Sequence, residues 1–146
     1  MADSVRDSII VSAPADVVRG TVTDLPAYPL WQPEITSVEV LETDADGLAT
    51  TARFTIDAKL LTVTCTLAYT YDDAGMRWRL VDGDGLARND GCYLVSDLGD
   101  DRTELTYELT VEPTVSVPAV LRRQIAQRIV DGALRGAKER AEAAAA

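Results

Sequence analysis

The chain has 146 residues, of which 47% are hydrophobic and 26% charged, a composition typical of one globular domain. Its net charge of −10 at pH 7 argues against nucleic acid as a partner, because phosphate contacts need a basic surface. No apolar run approaches the roughly 20 residues that a membrane span needs, and the start of the chain lacks the pattern of a secretory signal. We therefore expect a cytoplasmic protein with no stable membrane insertion.

The chain contains no histidine, so it lacks the commonest general acid–base group and the commonest metal ligand. Its two cysteines, Cys65 and Cys92, lack metal-ligand spacing. They are expected to be free thiols, as is usual in a cytoplasmic protein. No phosphate-cradling glycine loop and no carboxylate cluster with metal spacing is present. The sequence therefore predicts neither a metal site nor a cofactor.

The N-terminal segment predicts one strand followed by two short helices. Residues 5–11 are rich in apolar side chains, and Pro14 then suits the first turn of a helix, where its missing N–H is harmless. Pro26 ends this helix, since the residue before a proline resists helical geometry. Further prolines at positions 29 and 33 keep the next helix short. Two helices after a single strand predict a cap on one end of a curved sheet.

From Thr36 to Val111 the apolar residues recur at every second position, in runs separated by turns rich in Asp and Gly. Val63, Cys65 and Leu67, for example, alternate with threonines. Strands with one apolar face and one polar face are typical of an antiparallel sheet that exposes one face to water.

A long helix is predicted from Pro118 to about Ala141. Its apolar stripe recurs at three-to-four spacing and consists of Leu121, Ile125, Ile129, Ala133 and Ala137. Such a helix can lie across the apolar face of a seven-stranded sheet. The element order predicts an α+β fold in a single domain over residues 1–146, with a core at about 5–142 and a frayed alanine tail at 143–146.

Five segments, residues 9–18, 23–33, 78–83, 90–95 and 102–107, carry a resemblance that extends over about residues 5–142. Together with the element order, they resemble the START-like or Bet v 1-like superfamily. The nearest branch is the bacterial polyketide cyclase/dehydrase and lipid-transport family, which includes coenzyme Q-binding relatives. The resemblance implies a helix-grip fold, with a seven-stranded curved antiparallel sheet, two short helices after strand 1 and a long C-terminal helix across the concave face.

The resemblance also implies a ligand pocket between the concave face and the last helix. Strand parity and helical spacing select its expected lining, with Trp31 near one end. The predicted ligand-binding residues are Trp31, Phe54, Ile56, Val63, Cys65, Leu67, Tyr69, Trp78, Leu80, Tyr93, Tyr107, Ile125 and Ile129. A lining that is mostly apolar with a few hydroxyls is typical of a site for a ring-bearing or acyl ligand.

Three polar residues are candidates for a catalytic role: Asp82, Tyr93 and Arg19. Asp82 falls on the inner strand parity, where it would be a proton acceptor, or it caps the turn at Gly83. Tyr93 needs a hydrogen-bond partner if it is buried. Arg19 stands where relatives carry an aromatic residue. Its guanidinium either extends to solvent or meets a ligand at the cavity mouth.

Three functions are compatible with this sequence. The first is binding or carriage of a small hydrophobic ligand, such as a lipid, an isoprenoid or quinone, or a polyketide. The second is an aromatase/cyclase-type enzyme, which needs aligned acid–base groups in the pocket. The third is a protein-partner module without a ligand, which predicts a filled interior and a contiguous exposed apolar patch.

Overall fold

The computed structural model describes residues 3–57 and 62–146. A strand and two short helices are followed by six strands and one long helix, in the predicted order. The strands are β1 (Asp3–Val11), β2 (Ile35–Thr43), β3 (Ala49–Asp57), β4 (Thr62–Asp72), β5 (Gly75–Asp84), β6 (Leu86–Gly99) and β7 (Arg102–Pro113). The helices are α1 (Ala15–Thr23), α2 (Tyr28–Trp31) and α3 (Ala119–Ala145), with a 3-10 turn at Leu25–Ala27 before α2.

The seven strands form one curved antiparallel sheet with the order β1-β7-β6-β5-β4-β3-β2. Strands β2 to β7 follow one another as neighbours, so β1 and β2 are the two edges. The segment that contains α1 and α2 therefore carries the chain from one edge of the sheet to the other. The predicted helix-grip architecture is confirmed.

The alternation in the sequence places one face of the sheet inside. In β4, Val63, Cys65, Leu67 and Tyr69 are buried, while the threonines between them face outward and are half-buried or exposed. Cross-strand partners share a face, so the buried positions of adjacent strands join into one apolar surface.

Helix α3 contacts the sheet along β1 and contacts the link that precedes β2. Along β1, the Arg122 side chain is paired with the Asp3 carboxylate, and Lys138 Nζ donates to the carbonyl oxygen of Ile10 at 2.8 Å. Just before the opposite edge strand, the carboxylate of Glu34 lies against Gly132 of α3. The curved sheet therefore wraps around the helix and encloses the space beneath it.

The buried stripe of α3 differs in part from the predicted one. Ala133 and Ala137 are buried as expected, but Ile125 and Ile129 are half-buried. The residues after these two, Ala126 and Val130, together with Leu134 and Ala141, complete the fully buried face. The helix also continues to Ala145 and so includes alanines that the sequence predicts to fray. Alanine has the highest helix propensity, which favours this continuation.

No helix within residues 3–57 or 62–146 combines the length and the apolarity that crossing a bilayer requires.

Helix α2 docks on α3 at a point where only glycine fits. A Cβ atom at residue 136 would lie 1.9 Å from the carbonyl oxygen of Trp31. In contrast, a Cβ atom at Gly20 in α1 would meet nothing within 4 Å. The backbones of α2 and α3 are thus in direct contact, whereas Gly20 has no steric role.

Replacing each of these two glycines by alanine should change the stability of the protein in opposite directions. Gly136→Ala should lower the free energy of unfolding by about 2 kcal/mol, because the new methyl group forces α2 away from α3. Gly20→Ala should raise it by up to about 1 kcal/mol, since alanine is the better helix former. Urea unfolding followed by circular dichroism measures both changes. A Gly136→Ala protein as stable as the wild type would contradict the docking geometry.

Candidate functional site

A cavity of about 80 Å³ lies between the inner face of the sheet and the N-terminal half of α3. The other half of this interface is filled by α1 and by buried residues such as Val11, Val18 and Leu134. The walls of the cavity are formed by strands of the sheet, by the α2–β2 link and by α3. The lining consists of Tyr28, Gln32, Glu34, Ile35, Phe54, Ile56, Val63, Leu67, Tyr69, Trp78, Leu86, Asn89, Tyr93, Tyr107, Leu109, Val111, Pro113, Val117, Arg122, Ile125 and Ile129.

A row of aromatic rings crosses the sheet along the floor of this cavity. The row runs from α2 to β7, and neighbouring ring centroids are 4.6 to 6.2 Å apart. Its members are Tyr28, Phe54, Tyr69, Trp78, Tyr93 and Tyr107. Two of the contacts are direct cross-strand pairs, Tyr69 with Trp78 and Tyr93 with Tyr107. Rings at such distances pack favourably in tilted and edge-on arrangements.

The Trp78 indole depends on the absence of a side chain at its cross-strand partner, Gly91. A Cβ atom at residue 91 would lie 2.5 Å from the ring. The indole therefore lies flat over the backbone of β6, which leaves space above it for the cavity.

A small polar network fixes the same ring. Trp78 Nε1 donates to Asn89 Oδ1 at 3.1 Å, and Asn89 Nδ2 lies 4.0 Å from Cys65 Sγ. Burial raises the pKa of the Cys65 thiol to about 11, so the thiol is neutral at physiological pH. Buried neutral thiols are inert. The network thus positions the ring and supplies no nucleophile.

The tyrosine hydroxyls are the main polar groups on the cavity floor. The Tyr93 hydroxyl is buried and has no hydrogen-bond partner. Burial raises the pKa of Tyr93 well above its usual range, so at neutral pH this hydroxyl keeps its proton, is available to donate a hydrogen bond and cannot act as a base. A buried hydroxyl without a partner costs about 1–3 kcal/mol, a cost that a ligand carbonyl or a water would remove.

Further polar atoms lie on the cavity walls. Gln32 Oε1 and Glu34 Oε2 are buried without partners. At the mouth, Arg122 is already bonded, because its Nε donates to the Asp3 carboxylate and one terminal nitrogen donates to the carbonyl oxygen of Val117 at 3.0 Å.

The structure places most of the predicted ligand-binding residues on the cavity. Those that line it are Phe54, Ile56, Val63, Leu67, Tyr69, Trp78, Tyr93, Tyr107, Ile125 and Ile129. Three do not. Trp31 packs edge-on against Tyr28, with ring centroids 4.9 Å apart, so Tyr28 occupies the cavity wall and Trp31 lies behind it. Cys65 is covered by Asn89, and Leu80 packs beside Gly83.

Asp82 does not lie on the inner face, because a bulge in β5 reverses the parity. Leu67 pairs with Leu80, but the preceding residue, Thr66, pairs with Asp82, so Val81 is an extra residue. Asp82 is exposed as a result. It cannot be a buried proton acceptor in the cavity.

Arg19 is bonded away from the cavity. Its two terminal nitrogens donate to the carbonyl oxygens of Asp72 and Asp73 at 3.1 and 2.6 Å. Arg19 therefore ties α1 to the β4–β5 turn. Its guanidinium lies at an exposed turn and is not among the residues that line the cavity.

Sequence reasoning missed several wall residues. Leu109 and Val111 share the parity of Tyr107 and could have been included on that signal. Gln32, Glu34 and Arg122 could not, since the first two lie in a link without periodicity and arginines are usually exposed.

The chain matches the family model described as polyketide cyclase/dehydrase and lipid transport over residues 11–138. It therefore belongs to that family, and the predicted resemblance is confirmed. Membership points to hydrophobic-ligand binding or aromatase/cyclase activity and does not determine which.

Solved structures agree with this assignment. A START superfamily protein from Mycobacterium smegmatis is 25% identical, with a TM-score of 0.88 over 97% of this chain and 98% of that chain. A protein from Thermus thermophilus is 24% identical, with a TM-score of 0.84 over 99% and 100% of the two chains. The Zhui aromatase/cyclase from Streptomyces is 20% identical, with a TM-score of 0.79 over 97% and 94%. The last two likenesses are evidence of fold alone. A search of curated proteins finds no significant match.

Loss of the hydroxyl should affect the stability of the protein differently at two of the buried tyrosines. Tyr93→Phe should leave the stability of the ligand-free protein unchanged or raise it by about 1 kcal/mol, because it removes an unpaired buried group. Tyr28→Phe should lower stability by about 1 kcal/mol, since the Tyr28 hydroxyl donates to the Val22 carbonyl oxygen. Urea unfolding compares the two variants, and a Tyr93→Phe protein less stable than Tyr28→Phe would contradict this hydrogen-bond assignment.

Burial of several tyrosines predicts that the folded protein loses stability in alkali. Burial raises the pKa of Tyr71 to about 12 and those of Tyr28 and Tyr69 well above 10. Unfolded tyrosines lose their protons near pH 10 and unfolded cysteines near pH 8.5, so the folded state binds more protons than the unfolded state above these values. Stability should thus fall as the pH rises from about 8 towards 12. Urea midpoints at several pH values, with tyrosinate absorbance near 295 nm, measure this decline. An unchanged midpoint at about pH 11 would contradict it.

Proposed function

We propose that the protein binds a small, ring-bearing hydrophobic molecule in the cavity between the sheet and α3. The observation that carries this proposal is the pairing of apolar, aromatic walls with a buried Tyr93 hydroxyl that has no partner. Ligand sites typically combine such walls with a few placed polar groups. A ligand carbonyl over the tyrosines would satisfy the hydroxyl that the protein leaves unpaired.

The size of the cavity favours a compact ligand. A buried water needs about 10–15 Å³ of accessible volume, so the cavity of about 80 Å³ holds a few waters or a small ring system. A longer lipid, isoprenoid, quinone or polyketide would fit only if lining residues such as Val117 and Arg122 moved aside. We therefore favour a ring within the cavity and any longer chain at the mouth.

Binding is favoured over a partner-binding role without a ligand. A partner module needs a filled interior and a contiguous apolar patch. Among the described residues, the most exposed large apolar side chains, Leu30 and Val120, lie on different elements, the short α2 and the first turn of α3.

The cytoplasmic location of the protein stays a prediction.

An aromatase/cyclase-type reaction is the second candidate. The observation in its favour is the adjacent pair Tyr93 and Tyr107, whose ring centroids are 4.6 Å apart on the cavity floor. Each ring carries a hydroxyl that can donate to a substrate carbonyl. This candidate predicts that Tyr93→Phe abolishes turnover of a polyketide while ligand affinity changes little. Full activity in the variant would remove Tyr93 from a catalytic role.

The binding proposal is tested by filling the cavity. Ile129→Phe should weaken binding of phenylpropanol at least tenfold, because the added ring volume occupies the site. Val120→Phe is the matched control, since Val120 lies on the same helix but is 73% exposed. It should bind as the wild type does. The emission of Trp78, which lines the cavity, and ligand-observed NMR both report binding.

Native mass spectrometry of protein purified without detergent provides an independent check, with a co-purified small molecule expected. Equal phenylpropanol affinity in wild type and Ile129→Phe, or no binding by either, would overturn the proposal.

A further inference from the structure

Buried polar atoms without partners are concentrated in one short segment. Of the four such atoms among the described residues, Trp31 Nε1, Gln32 Oε1 and Glu34 Oε2 belong to residues 31–34, and the fourth is the Tyr93 hydroxyl. Gln32 and Glu34 both line the cavity. Native proteins rarely leave such groups unpaired, so this cluster calls for a partner that the chain itself does not supply.

The backbone of this segment is firmly held. The backbone N–H of Gln32 donates to the Tyr28 carbonyl oxygen at 2.8 Å, and the Gln32 carbonyl oxygen accepts from the N–H of Ile35 at 3.0 Å. The Glu34 carbonyl oxygen accepts from the Asp57 N–H at 2.7 Å. The side chains of Gln32 and Glu34 are therefore presented from a fixed frame.

The position of the Glu34 carboxylate depends on α3. Its oxygens lie 3.5 and 3.6 Å from the point where a Cβ atom at residue 132 would stand, which is an ordinary packing distance, so the carboxylate lies directly beside the helix. The Gln32 side chain is almost completely enclosed, with 3% of the residue exposed. One wall of the cavity is thus polar and fixed in place.

The carboxylate of this wall is not held in an ion pair among the described residues. Arg128 and Arg135 share a surface groove with Glu34, but no ion pair joins either arginine to it within the described residues. A carboxylate only accepts hydrogen bonds, and the unpaired atom of the Gln32 amide, Oε1, is also an acceptor. Both groups need hydrogen-bond donors, which an anion cannot supply.

We propose that Gln32 and Glu34 form the polar end of the ligand site and select hydrophobic molecules with a hydrogen-bond-donating head group. A protonated amine should bind best, because it adds charge attraction to the hydrogen bonds. A hydroxyl should follow, and a carboxylate should be rejected. This inference rests on the proposed function and narrows the class of ligand.

Four probes with one hydrocarbon skeleton test the selection: phenylpropylamine, phenylpropanol, propylbenzene and phenylpropanoate. Affinities are measured at pH 7 by tryptophan emission and ligand-observed NMR. For the wild type, the amine should bind at least tenfold more tightly than propylbenzene, and phenylpropanoate should bind most weakly. Glu34→Gln, which keeps the shape of the side chain, should reduce the advantage of the amine about tenfold and leave propylbenzene affinity unchanged.

Two further variants complete the test. Glu39→Gln makes the same charge change at an exposed position that pairs with Arg53, and it should keep the wild-type ranking. Gln32→Leu should weaken phenylpropanol binding and strengthen propylbenzene binding. Equal affinity of the wild type for the amine and propylbenzene, or equal effects of Glu34→Gln and Glu39→Gln, would overturn the inference while leaving the proposed function intact. No binding of any probe would overturn both.

Discussion

A difference in width between a sheet and a helix governs this structure. Seven strands spaced at about 4.8 Å make a sheet about 29 Å wide, whereas one helix is about 10 Å across. A single helix cannot cover the apolar face of a flat sheet of that width. The sheet curves so that α3 is held along one edge, at Arg122 and Lys138, and lies against Glu34, the residue before the other edge strand. The enclosed space is then filled only where α1 and α2 enter it, and the remainder is the cavity.

The contents of the cavity follow from this geometry. The space under the first half of α3 is too wide for aliphatic side chains alone, so a row of rings occupies its floor. Tyr93 and Tyr107 belong to this row, and each brings a hydroxyl into an apolar space. The Tyr93 hydroxyl has no hydrogen-bond partner within the described residues. A ligand or ordered water is the natural complement of such a surface.

The sequence could predict the parts of this site that depend on regular periodicity. Tyr69, Trp78 and Tyr107 lie on the inner face because strand residues alternate, and the structure places all three on the cavity. Asp82 does not lie on the inner face that its parity predicted, because one extra residue at Val81 reverses the alternation. The glycines that follow Asp82 indicate an irregular register but do not determine where the extra residue falls. Gln32 lies between two elements, where no period applies, so its enclosure depends on tertiary contacts that only coordinates reveal.

The glycines of α3 also determine which part of the helix faces the cavity. Ile125, Ile129, Gly132 and Gly136 are spaced by four, three and four residues, so they lie along one face of the helix. That face carries bulky side chains over the cavity and none where it meets Glu34 and the Trp31 carbonyl oxygen. A bare patch of this kind limits the axial register of the helix, because sliding α3 by one turn towards its N-terminus would bring Arg140 against the α2 backbone. The contact that fixes α2 on α3 thereby also decides that isoleucines, rather than the alanines further along, form the roof of the site.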